Sequence, residues 1–226
     1  MIMAKAKPIE EIINDVRNCK KILLIGCNGC VAVCEAGGLK EVQVLAAALR
    51  MYFVRNRQRM VIDEISLTRQ CDREYLREIK DRVENYDALV SLACGAGVQF
   101  LAEMYEEKPV YPAVDTCFIG VTLEQGVWSE RCQACGQCVL STTGGICPIA
   151  RCSKRMLNGP CGGSENGKCE ISVVLGRDIP CGWHLIYERL KILGHLDRFG
   201  VPSNDKDWTA SRDGGPRDIV REDVRP

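Results

Sequence analysis

The residues most able to do chemistry in this chain are thiols, fifteen of them among 226 residues. Gly26-Cys27-Asn28-Gly29-Cys30-Val31-Ala32-Val33-Cys34 sets three at Cys-x2-Cys-x3-Cys spacing directly after an apolar run. Cys94 ends a second such run, Ser91-Leu92-Ala93-Cys94. If both runs are parallel strands, their C-terminal ends gather at one sheet edge, where ligands usually bind. Cys27 and Cys94 are then expected close together, with Cys30 and Cys34 on the turn and helix start between them. Four thiolates converging on one point suit a 4Fe–4S cluster or a zinc ion. The alternative is a redox Cys-x-x-Cys beside buried thiols, because free cysteine often packs as a small hydrophobe.

A second constellation is denser. Residues 131–182 hold Cys132, Cys135, Cys138, Cys147, Cys152, Cys161, Cys169 and Cys181. Cys132-x2-Cys135-x2-Cys138 lets three sulfurs reach three corners of one cubane, and a Cys-Pro such as Cys147-Pro148 commonly follows in ferredoxin-type sequences. The spacer before Cys147 is longer than in those sequences, so Cys181 competes with it as fourth ligand. Eight thiols serve two four-ligand sites, or one cluster and one zinc, since thiolate spacing alone does not separate the metals.

Other candidates carry less. Cys71 and Cys117 fall near expected strand ends and could line the first site or replace a ligand; with Cys19 they otherwise read as packing residues. His184 and His195 lie on one predicted helix, about three turns apart, and suit surface or packing roles. The glycines around Cys27 do not spell the dinucleotide-binding fingerprint, and there is neither a phosphate loop nor a Cys-His-Asp arrangement. No catalytic residue is expected, and the thiols suit electron carriage or stapling.

The elements that must position these thiols follow from hydrophobic periodicity. Pro8 opens a helix with Ile9, Ile12, Ile13 and Val16 on one face, and Lys21–Gly26 reads as a buried strand. A helix over about 39–58, a strand at 60–65, an Asp72-capped helix reaching Tyr86, a strand at 88–93, a helix through Phe100 and Leu101, and a strand near 110–114 follow. Such alternation predicts an α/β class with a parallel sheet over residues 1–120. Residues 121–200 are predicted to form a cysteine-rich, metal-stapled region with one long helix carrying Leu185, Ile186, Leu190, Leu193 and Leu196. Too few apolar residues separate its thiols to build an ordinary core. Residues 201–226 form a polar tail, disordered or laid across a partner.

Composition narrows the class. Thirty basic and thirty acidic side chains leave a formal net charge of zero, which points away from nucleic acid or anionic membrane. Residues 1–21 lack an uninterrupted apolar stretch, so no secretory signal is expected, and no apolar run approaches a membrane span. A cytoplasmic location is expected, where thiols bind metal more often than they pair. An odd number of cysteines also excludes complete internal pairing.

Taken together, Gly26-Cys27-Asn28-Gly29-Cys30, Ser91-Leu92-Ala93-Cys94-Gly95-Ala96-Gly97, Cys132-x2-Cys-x2-Cys138, Cys147-Pro148, Asn158-Gly159-Pro160-Cys161-Gly162-Gly163, Gly167-Lys168-Cys169 and Cys181-Gly182-Trp183 resemble the methylenetetrahydrofolate reductase C-terminal-domain family. Within it, the pattern is most similar to the small stand-alone MetV-type iron–sulfur subunits of acetogenic bacteria, and it covers about residues 20–195. The resemblance implies an electron-transfer subunit in one-carbon metabolism of the Wood–Ljungdahl kind. Two or three 4Fe–4S clusters are implied, with zinc possible at one site. A low-potential donor, ferredoxin or an electron-bifurcating complex, would feed them. The partner would be a catalytic subunit that holds FMN and reduces methylenetetrahydrofolate. By position, Cys27, Cys30, Cys34 and Cys94 would hold the N-terminal cluster and the eight thiols from Cys132 to Cys181 the C-terminal metal. A zinc-stapled scaffold for the catalytic subunit, or an adaptor to a corrinoid or heterodisulfide-reductase-type enzyme, are the alternatives.

Overall fold

The run Lys21-Ile22-Leu23-Leu24-Ile25-Gly26-Cys27 forms the central strand of the computed structural model, which describes residues 1–225. Every residue after Lys21 in this run is buried, as expected of a strand covered on both faces. The chain divides into two compact units, Met1–Trp128 and Ser129–Pro226.

The first unit is α/β. Its strands are β1 (Ile2–Ala6), β2 (Lys21–Cys27), β3 (Val61–Leu67), β4 (Ala88–Leu92), β5 (Val110–Pro112), β6 (Val114–Glu124) and the start of β7 (Val127–Cys132). A parallel four-stranded sheet runs β3-β2-β4-β5, with Cys27 beside Leu67 and Gly26 beside Leu92. The helices are α1 (Ile9–Val16), α2 (Cys30–Val33), α3 (Leu39–Arg55), α4 (Arg73–Arg77), α5 (Lys80–Val83) and α6 (Gly95–Met104).

Strand alternation sorts these helices onto the two faces. Ile22 and Leu24 of β2 share a core with Ile12, Val16, Val42, Leu49 and Phe53 from α1 and α3. Leu23 and Ile25 point the other way, into a core with Leu76, Ile79, Val83 and Leu101. Fully burying each such side chain contributes roughly 1.5–3 kcal/mol. The edge strand β3 is only half covered and carries Asp63 and Glu64, charges that discourage edge-to-edge pairing.

Three features depart from the sequence expectations. β1 pairs antiparallel with β6 in a second sheet of order β1-β6-β7, although its five residues carry too short a pattern to stand out. The helix expected from Asp72 to Tyr86 is broken at Ile79 into α4 and α5. In the second unit, α9 (Gly182–Leu193) ends where Gly194 adopts a left-handed φ of 72°. Leu193 and Leu196 are therefore exposed, and the buried face is Trp183, Ile186 and Leu190.

Apart from α9, the helices of the second unit are short: α7 (Pro148–Arg151) and α8 (Ile171–Leu175), together with 3-10 turns after residue 195. Its buried cluster is small, Cys181, Trp183, Ile186 and Leu190, with Cys152, Cys169 and Phe199 packed against it. Among the described residues, no helix is long and apolar enough to cross a membrane.

Candidate metal centres

In the first unit three thiols lie where the parallel strands end. Cys27 is the last residue of β2, Cys30 the first of α2, and Cys94 caps the N-terminus of α6 immediately beyond β4. Cys27 is buried, Cys94 partly buried and Cys30 exposed. The space beside Gly29 is bounded by Cys27 Sγ and the Arg69 side chain, each 3.6 Å from where a Cβ would stand. Gly37 lets the chain cross the end of β4, because a side chain there would collide with the Leu92 carbonyl oxygen.

Cys71 joins this edge through the residue before it. Gln70 is fully buried; its Nε2 donates to the Ile25 and Gly26 carbonyls at 2.8 and 3.1 Å, and its Oε1 accepts from Ser91 Oγ at 2.6 Å. The turn after β3 is thereby pinned to the ends of β2 and β4. Cys71 itself is exposed. Burial pushes its thiol up, Cys27 and Cys94 push it further, and Arg69 opposes them.

Cys34 is placed differently. It is buried in the core beside β1, where its Sγ accepts from the Ala4 N–H at 3.4 Å. The same sulfur lies within donating distance of the Ala4 and Val31 carbonyls, at 3.6 and 3.5 Å. Burial pushes this thiol up, and Cys117 and Cys30 act in the same direction. Of the remaining cysteines, Cys117 is exposed on β6, and partly buried Cys19 packs against the first core.

In the second unit the Cys132–Cys138 segment forms a tight knuckle. Ala134 and Gly136 adopt positive φ values of 50° and 80°, and the Ala134 N–H lies 3.3 Å from Cys132 Sγ. An amide aimed at a sulfur is the kind of hydrogen bond that stabilises a thiolate and tunes a bound cluster. The knuckle is held by the tail. Lys206 is buried, and its Nζ donates to the Cys135 and Gln137 carbonyls, both at 3.1 Å. Asp207 N donates to Gln137 Oε1 at 2.9 Å, and Arg217 donates to the Ala134 carbonyl at 3.0 Å. Gly136 also has to be glycine, since a Cβ there would strike the Ala210 carbonyl oxygen. Residues expected to be disordered or laid on a partner thus fold onto the thiol loop of their own chain.

Three of the other thiols lie at the start of α9. Cys152 and Cys169 pack against the cluster that contains buried Cys181. Backbone bonds from Cys169 N to the Ile179 carbonyl and from Cys181 N to the Gly167 carbonyl, both 2.8 Å, tie their two segments together. Exposed Cys161 neighbours Lys154, which pairs with Glu170 next to Cys169. Cys147 caps the N-terminus of α7 and is partly buried.

The donor set fits a thiophilic metal: it is all sulfur, with backbone amides and cations near several of the sulfurs. Among the described residues, no three His, Cys, Asp or Glu side chains already stand close enough together to hold an ion. Sequence reasoning missed Gln70 and Lys206, which anchor the turn before Cys71 and the Cys132–Cys138 knuckle. Lys206 carried no signal in its local pattern.

The fold and thiols thus define an α/β unit with cysteines at its strand edge, followed by a cysteine-rich unit. Residues 111–209 match the sequence profile of the family described as methylene-tetrahydrofolate reductase C terminal. No curated protein and no solved structure gives a significant match.

Proposed function

We propose that this chain is the iron–sulfur electron-transfer subunit of a methylenetetrahydrofolate reductase complex. The observation that carries the proposal is that the family match over 111–209 encloses all eight thiols from Cys132 to Cys181. Cys132, Cys135, Cys138 and Cys147 would hold one cluster, with the Ala134 amide orienting the first sulfur and Lys206 fixing the loop. Cys27, Cys30 and Cys94 would contribute to a second centre at the β2/β4 edge. A bound 4Fe–4S cluster supplies single-electron transfer, which matches a flavin able to collect electrons singly and deliver a hydride. The flavin, FMN, would reside in the catalytic partner, and ferredoxin or an electron-bifurcating complex would be the donor. Burial of Cys27 and Cys181 would limit water access to the sulfurs and so help set their potentials.

A zinc staple is the second reading for Cys152, Cys161, Cys169 and Cys181. Three of these four share the small apolar cluster of the second unit, a position suited to a closed structural site.

The test is anaerobic purification of the chain with its catalytic partner, followed by iron, sulfide and zinc quantification and by stopped-flow reduction of the partner's flavin. Iron with matching sulfide, and flavin reduction by reduced ferredoxin only when this chain is present, are expected. Stoichiometric zinc without iron or sulfide would remove the electron-transfer reading.

A further inference from the structure

We propose that the fourth thiolate of the N-terminal centre is Cys71 and not Cys34, so that Cys27, Cys30, Cys71 and Cys94 bind one thiophilic metal centre across the ends of β2, β3 and β4. The inference rests on the metal-binding reading above and changes its ligand set.

Topology carries the first part. β2 lies between β3 and β4, so the connections leaving these three strands emerge side by side. Cys27 ends the middle strand, Cys94 follows β4 by two residues, and Cys71 follows β3 by four. The Gln70 amide removes the freedom of the β3 connection. Its bonds to the Ile25 and Gly26 carbonyls and to Ser91 draw the turn over β2 toward β4, and Gly97 of α6 packs against the Gln70 side chain. The residue next to this anchor is Cys71, on the connection that leaves β3 alongside the ends of β2 and β4. Cys30 is tied to Cys27 by the two-residue spacer and lies next to Gly29, which itself abuts Arg69 of the same β3 turn.

The second part is the state of Cys34. Its sulfur is already engaged by the Ala4 amide and two carbonyls inside an apolar core. To ligate as a thiolate it would lose the proton with which it can hydrogen-bond to those carbonyls. A free-thiol packing role accounts for every contact it makes. Cys71, exposed on the turn after β3, can turn toward a metal without disturbing the core.

The experiment uses the full chain, purified anaerobically, with iron, zinc and sulfide measured per chain and EPR of the reduced protein. Cys71→Ser and Cys27→Ser are expected to lose the same share of metal and the same EPR signal, whereas Cys34→Ser keeps the wild-type complement. Because a substitution in the β3 turn could loosen the fold, the unmutated chain gives a second readout. Maleimide labelling followed by mass spectrometry is expected to show Cys71 protected in the loaded protein and modified, together with Cys30 and Cys94, after chelation. Metal loss in Cys34→Ser with retention in Cys71→Ser overturns the proposal, as does labelling of Cys71 that chelation leaves unchanged. Zinc in place of iron and sulfide, lost in Cys71→Ser, supports the ligand set while overturning electron transfer. Wild-type metal content in Cys27→Ser overturns the N-terminal centre as a whole, while the electron-transfer reading carried by the C-terminal thiols stands or falls on their iron and sulfide.

Discussion

Ser91 Oγ donates to Gln70 Oε1 at 2.6 Å, and neither residue has any exposed surface. The pair joins β4 to the turn after β3, and it anchors the residue that immediately precedes Cys71. Replacing Gln70 with Ala strands the Ser91 hydroxyl and leaves two strand-end carbonyls without their side-chain donor. Each buried group left unsatisfied costs about 1–3 kcal/mol. Urea unfolding of Gln70→Ala, Ser91→Ala and the double variant is expected to show a coupling of roughly 0.5–3 kcal/mol. Strict additivity would mean that the bond contributes nothing specific.

Lys206 is the corresponding device in the second unit. Hydrogen bonds involving a charged group contribute about 1.5–3 kcal/mol, and here two of them hold the carbonyls of the Cys135–Gln137 turn. Lys206→Met keeps an unbranched apolar stem but removes both bonds. Faster maleimide modification of Cys135 and Cys138, and faster loss of C-terminal metal to a chelator, are the expected outcomes. Rates equal to wild type would assign the side chain to packing alone.

The eight C-terminal thiols are expected to act as two sets. Cys132, Cys135, Cys138 and Cys147 belong to the knuckle and the start of α7; Cys152, Cys169 and Cys181 share the apolar cluster at the start of α9, with Cys161 beside Lys154 as the fourth of the second set. Cys132→Ser should therefore lower metal content by one site while leaving the other intact, and Cys181→Ser should do the reverse. Elemental analysis of both variants and their combination checks this: losses that add indicate two sites, and losses that coincide indicate one.

Asp87 gives a pH test. Backbone amides of Lys21 and Lys20, at 2.9 and 2.6 Å, hold its carboxyl below the usual carboxylate range. A carboxylate with a depressed folded-state pKa contributes stability that is full above its unfolded pKa and disappears as pH falls through its folded value. Asp87→Asn retains an acceptor oxygen but no longer titrates. Thermal unfolding measured from neutral pH down past the carboxylate range should fall less steeply for the variant, and parallel curves would show that Asp87 does not contribute to acid sensitivity.

The parallel sheet was legible because its strands are short apolar runs buried on both faces, and β2 and β4 need no tertiary information to be recognised. The strand-edge position of Cys27 and Cys94 followed from that topology. Cys71 was harder to place because its position depends on the Gln70 side chain, a contact between residues far apart in sequence that no period encodes. Likewise, the break at Ile79 and the early end of α9 reflect local backbone geometry beneath a continuing apolar pattern. In the polar tail the difficulty was of another kind. Its order comes from charged and polar side chains bonded to carbonyls of a distant loop, and composition reads such residues as solvated.

That strap has a consequence for how the protein is made. Lys206 lies 71 residues beyond Cys135, the residue whose carbonyl it holds. During synthesis the knuckle therefore leaves the ribosome well before the segment that fixes it. A metal held there, as proposed, would meet the knuckle in its final shape only once the strap has been translated, so its insertion would follow completion of the chain.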